Sequence, residues 1–129
     1  SFLEKAALIA LTIKCIFQLQ ICIPLIGEWV FGNRNLIIGY IHLLTLGIMV
    51  PLLVAQLIRK ELIMPGKLIN IGDRIYILLL VIYLGLLFIQ PLLALYAIQV
   101  PSYQFLLFLL CISFIPAGIL WLLKVKSQM

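Results

Sequence analysis

The chain has 129 residues, of which 66% are hydrophobic and 10% are charged, and its mean hydropathy is +1.31. A soluble domain of this size could not cover so much apolar surface with so few charges, so the composition excludes one and indicates that the lipid bilayer is the solvent. In a soluble protein the net charge of +5 would suggest nucleic acid, but the positive-inside bias of membrane proteins explains it here. No nucleic-acid partner is therefore expected.

The hydropathy pattern predicts an all-α protein, a single domain built as a bundle of four transmembrane helices. A spanning helix needs about 20 residues, so four spans with short loops account for the whole chain. The predicted spans are residues 6–26, 36–58, 75–98 and 105–123.

The first span is unusually polar, because it contains Lys14, Gln18 and Gln20. Lys14 and Gln18 are four residues apart and share a helix face. A lysine at the centre of a span costs about 2.5–3.5 kcal/mol on insertion scales, so we expect a polar interior face there. A partner for Lys14 would come from Gln18, Gln90, a kink carbonyl or another chain. The alternative is a lysine that only reaches out to the headgroups.

The second span carries the single histidine, His42, on a stripe with Thr45, Met49 and Gln56. At α-helical spacing this stripe is predicted to face protein, and the residues predicted to face lipid are Ile37, Leu44 and Ile48. Pro51 would clash with the Gly47 carbonyl, which predicts a kink.

The connections are predicted from their turn and cap residues. Asn33 or Asn35 is expected to cap the second span, and Asp73 the third. The loop at 59–74 is expected to lie along the headgroups. Gln90 precedes Pro91 and is the polar residue at a predicted bend of the third span.

The distribution of lysine and arginine predicts the orientation. One side carries seven of these residues and the other side only Arg34, which places both termini in the cytoplasm. The seven are Lys5, Arg59, Lys60, Lys67, Arg74, Lys124 and Lys126.

Enzyme motifs such as GxSxG, HExxH, GxGxxG and a P-loop are absent, so the sequence does not indicate catalysis. His42, Cys22 and Cys111 are predicted to lie at similar depth, where imidazole and thiolate could hold copper or zinc. Haem ligation by His42 and a structural, hydrogen-bonded histidine are the other interpretations.

The leading interpretation is a non-enzymatic bundle whose polar interior serves packing or assembly with further helices, in the same protein or a homo-oligomer. The alternatives are a haem- or copper-binding redox subunit using His42 and a small transporter using Lys14 and Gln18.

Residues 31–47 resemble a stretch near the end of a family of large, uncharacterised bacterial membrane proteins, which are distantly similar to haem-copper oxidase large subunits. The matching positions are Arg34, Tyr40, His42 and Gly47. The resemblance implies that the chain is the C-terminal part of a longer membrane protein.

Overall fold

The computed structural model of the chain describes residues 1–125, and these residues form an all-helical protein, which confirms the predicted fold class. A π-helical segment, Leu43–Met49, joins the third helix to the fourth. The helices are α1 (Phe2–Ile21), α2 (Pro24–Gly32), α3 (Arg34–His42), α4 (Val50–Arg59), α5 (Lys67–Ala94) and α6 (Tyr103–Leu122). Lys126, one of the seven cations counted above, lies outside the described residues.

Within residues 1–125, three helical stretches are long and apolar enough to cross a membrane: Arg34–Arg59, Lys67–Ala94 and Tyr103–Leu122. The first predicted span is divided, because α1 and α2 are bent by 110° at a short break and make a fourth span only if taken together. Pro24 starts α2 and has no N–H to continue α1. Gly27 then packs on the end of α1, where a Cβ would lie 2.8 Å from the Ile21 carbonyl oxygen.

The helices are arranged antiparallel, and three parts of the chain meet at one end of the bundle. Glu4 at the start of α1 forms an ion pair with Arg59 at the end of α4. The connection after α4 meets the end of α6, because the Met64 N–H donates to the Lys124 carbonyl at 3.0 Å. We call this the basic end, and α2 lies at the opposite end.

Pro51 explains the π-helical segment. The Val50 N–H donates to the Thr45 carbonyl, five residues earlier. If this five-residue pattern continued, the N–H of residue 51 would donate to the Leu46 carbonyl. Pro51 has no N–H, so the Leu46 carbonyl needs another donor. Tyr76 of α5 provides it, because its hydroxyl donates to the Leu46 carbonyl at 2.7 Å. The predicted kink is therefore realised as a wider helical turn with a donor from another helix.

The wider turn also corrects the predicted stripe on the second span. His42 and Thr45 are half-buried, but Met49 is 53% exposed and Ile48 is only 8% exposed. The prediction that Met49 faces the bundle and Ile48 the lipid was wrong, and Gln56 is exposed as well. A π-helical turn contains more residues than an α-helical one, so positions beyond it rotate relative to the assumed 3.6-residue period.

One predicted helix cap was wrong, and the other was right in position only. Helix α5 begins at Lys67, so Asp73 lies inside the helix and is 6% exposed. Asn33 occupies the N-cap position of α3, but its side chain bonds no N–H of α3 and instead donates to the Trp29 carbonyl of α2 at 2.7 Å. The predicted loop 59–74 is correspondingly shorter, because its second half is helical.

Replacing Tyr76 by Phe should destabilise the protein by ~1 kcal/mol, because the buried Leu46 carbonyl would lose its donor. In a Pro51→Ala background, residue 51 regains an N–H that can donate to the Leu46 carbonyl. Tyr76→Phe should therefore destabilise that protein less. Unfolding of the purified protein in mixed micelles measures both costs. Tyr96→Phe, at a position that is 78% exposed, is the matched control. Equal costs of Tyr76→Phe in the two backgrounds would contradict this explanation.

Candidate functional site

An aromatic cluster, defined as Tyr76, Tyr83, Phe114 and Trp121, forms the interface between α5 and α6. On each helix the two rings are seven residues apart, so they lie on one face. Ring centroids are 5.1 Å apart for Tyr76 and Trp121 and 5.4 Å for Tyr76 and Phe114. The Tyr76–Phe114 pair is edge-to-face and the Tyr76–Trp121 pair is tilted, and such ring contacts add to the stability that burial of the rings provides.

Asp73 is attached to this cluster, because the Trp121 indole N–H donates to its carboxylate Oδ1 at 2.9 Å. Gly72 permits the close approach of α6, since a Cβ there would lie 3.4 Å from the Leu120 Cβ. Sequence analysis missed this pair. The available signal was periodicity, because Asp73 falls on the same helical face as the buried Tyr76 and Leu80.

His42 packs edge-to-face on Tyr83, with ring centroids 5.4 Å apart. Its Nδ1 lies 2.8 Å from the Ile38 carbonyl oxygen. A carbonyl can only accept, so Nδ1 carries the proton and Nε2 of the neutral ring keeps a lone pair. This arrangement fits a structural histidine and also leaves one nitrogen able to bind a further group.

The three predicted metal ligands are not gathered together. Cys111 and His42 both lie next to Tyr83. Cys22 lies at the end of α1, where its thiol donates to the Gln18 carbonyl at 3.4 Å. Across residues 1–125 no three side chains of His, Cys, Asp or Glu lie close enough to hold a metal ion.

Lys14 lies on the side of α1 that faces the bundle. It continues the stripe of Leu3, Ala7 and Ala10, which are buried, and is itself half-buried. Gln18 is exposed, so the polar face predicted for both residues is divided between the bundle and the surface. The ion pairs found in residues 1–125 both use Glu4, so no acid there neutralises Lys14.

Gln90 has a buried Oε1 that accepts no hydrogen bond from residues 1–125, so it is not the partner of Lys14 there. Helix α5 continues through Pro91 to Ala94, and one turn before this proline the Tyr103 hydroxyl of α6 donates to the Leu86 carbonyl at 3.3 Å.

A cavity of about 280 Å³ lies at the opposite end of the bundle, between α1, α2, α3 and α5. Its lining is apolar apart from Gln20 and the aromatic residues Trp29 and Tyr40. The volume is at the lower limit of about 300 Å³ that is typical of ligand pockets. Lys14, Gln18 and Gln90 do not line it, so the polar residues proposed for transport do not converge there.

Comparison of the chain with protein-family models, with curated proteins and with solved structures finds no match. The resemblance of residues 31–47 to large bacterial membrane proteins therefore stays a prediction. The arrangement of the chain's own residues is the basis for a function.

Proposed function

We propose that the chain is an integral membrane helical-bundle domain without a catalytic site, in which polar side chains join the helices and assemble them with further transmembrane helices. One observation carries this proposal: several polar side chains at the helix interfaces bond to a different helix. Trp121 and Asp73 join α6 to α5, and Tyr76 joins α5 to the π-helical segment. Glu4 and Arg59 join α1 to α4.

Such bonds suit a packing role in hydrocarbon. An unpaired polar group there costs several kcal/mol, whereas an interhelical hydrogen bond adds on average only ~0.6 kcal/mol. The main effect of these bonds is therefore to disfavour other arrangements of the helices, because the bonds themselves add little to the stability of the native one. None of these groups is left free for chemistry on a substrate.

Two polar groups support assembly with further helices. Lys14 faces the bundle without an acid to meet it in residues 1–125, and the buried Gln90 Oε1 has no donor there. A charge or carbonyl oxygen at membrane depth is stabilised by a partner. A second copy of the chain or additional transmembrane helices would provide it.

Lys14→Leu should weaken assembly, even though it makes α1 more hydrophobic and easier to insert. The measurement is the molecular mass of the detergent-solubilised protein by light scattering, together with its thermal stability. Thr12→Leu is the matched control, because Thr12 is exposed and its hydroxyl donates to the Leu8 carbonyl of its own helix. If Lys14→Leu left the mass unchanged and raised the stability, Lys14 would be a lysine that only reaches the headgroups.

The arrangement of the ends supports an orientation with both termini cytoplasmic, in a bacterial inner membrane. Of the described lysines and arginines, Arg34 lies at the end with α2, while the others, Lys14 apart, belong to segments at the basic end. Positive residues are retained on the cytoplasmic side.

Cysteine labelling in a background without Cys15, Cys22 and Cys111 tests this orientation. A cysteine at Asn33 should react with a membrane-impermeant reagent in intact cells, and one at Lys67 only after permeabilisation. Labelling of position 67 in intact cells would overturn the orientation.

A second candidate function is a haem- or copper-binding redox subunit, which the free lone pair on His42 Nε2 favours. His42 would hold the haem iron or the copper through Nε2, and another helix would complete the site. If this is correct, the purified protein should shift the Soret band of added haem away from its position in detergent alone, and His42→Gln should not. The same spectrum with both proteins, or no shift, would exclude haem ligation by His42.

A further inference from the structure

Helix α5 is longer than the hydrocarbon core of a bilayer. Its 28 residues extend over about 42 Å, compared with a core of about 30 Å. The charged residues of α5 are Lys67, Asp73 and Arg74, all in its first eight positions. The extra length is therefore at the basic end, so the first two turns of α5 lie among the lipid headgroups.

Lys67, Asn70 and Arg74 are exposed on one face of these turns, at spacings of three and four residues. With Ile71 they line a shallow surface depression of about 270 Å³. Two cations and a carboxamide provide several donors and no carboxylate. Their spacing suits an anion with several acceptor oxygens.

No acid in residues 1–125 forms an ion pair with this face. The ion pairs found there both use Glu4. The adjacent acid, Asp73, is turned to the other side of α5 and bonds to Trp121. The N-cap residue of α5, Gly66, has no side chain that could bond the first N–H groups of the helix, so these groups and the positive end of the helix dipole lie beside Lys67.

An exposed apolar stripe runs beside this face. Leu68 and Ile71 belong to the two headgroup turns and Ile75 follows them toward the membrane interior, and the three are 48%, 50% and 36% exposed, respectively. A ligand that satisfies both parts has an anionic head and apolar chains.

We propose that Lys67, Asn70 and Arg74 bind the phosphate of an anionic phospholipid whose acyl chains pass Ile75 into the hydrocarbon. Basic residues at the membrane surface attract anionic lipids, and the two turns position their charges at headgroup depth. The inference rests on the proposed membrane-spanning role of α5.

The test uses the full chain purified in a neutral detergent, with phosphatidylglycerol or phosphatidylcholine added and bound lipid counted by native mass spectrometry. Phosphatidylglycerol should bind in preference. Neutralising one cation should weaken this binding about fivefold, and Lys67→Gln with Arg74→Gln about 25-fold, which is ~1 kcal/mol per residue. The matched control is Lys5→Gln with Lys60→Gln, which removes the same charge from exposed positions at the same end. The control should stay within about twofold of the unsubstituted chain.

If both double variants lost phosphatidylglycerol binding equally, general surface charge and not this site would explain the binding. Unchanged binding in Lys67→Gln with Arg74→Gln would also overturn the site. Inorganic phosphate should not displace the lipid, and displacement would show that a free anion suffices. If the double variant fails to fold by circular dichroism, each single variant tests the fivefold effect. Carbonate extraction of the unsubstituted chain from membranes separates the two proposals. A chain that stays in the membrane but does not prefer phosphatidylglycerol refutes only the lipid site.

Discussion

Pro51 has no backbone N–H, and the middle of the bundle is arranged around the carbonyl that this leaves without a donor. Tyr76 donates to that carbonyl, on Leu46, and its ring contacts Phe114 and Trp121. Trp121 in turn donates to Asp73. A continuous series of contacts thus connects the π-helical segment, α5 and α6. The register of each helix depends on that of the others, because a shift of any one would break a bond in hydrocarbon.

Apolar contacts alone would not determine this arrangement. Helix α6 is apolar almost throughout, and within it Ala117 alone is buried. Such a helix has little preference for one rotation about its axis, because lipid and protein interior are similarly apolar. The indole of Trp121 and the hydroxyl of Tyr103 provide that preference, since each has a single acceptor on α5. Polar side chains therefore determine the rotation of α6 about its axis, and close packing of rings and small residues holds α6 against α5.

The two ends of the bundle differ in chemistry, one being basic and the other apolar, and both proposals depend on this difference. The basic end gathers the start of α1, the connection after α4 and the end of α6. It carries cations on α5 that the acids of residues 1–125 do not neutralise. The opposite end has an apolar cavity beside α2. Under these proposals the basic end contacts lipid headgroups, and other helices contact Lys14 and Gln90, for which residues 1–125 provide no acid and no hydrogen-bond donor, respectively.

Composition and local pattern determined the membrane class, the all-α fold and the limits of two of the four predicted spans, because a backbone in hydrocarbon has to satisfy its own hydrogen bonds within helices. Residues 36–58 and 105–123 were predicted as spans, and the helices there are Arg34–Arg59 and Tyr103–Leu122. The tertiary structure alone decided the role of Asp73, the rotation beyond His42 and the side of α1 on which Lys14 lies. Asp73 has the local signature of a cap, yet its partner Trp121 is 48 residues away, and the donor to Leu46 is 30 residues away. Periodicity places Asp73 on a buried helix face. It does not identify the partner, because a bond between residues so far apart depends on how whole helices pack and not on neighbours along the chain.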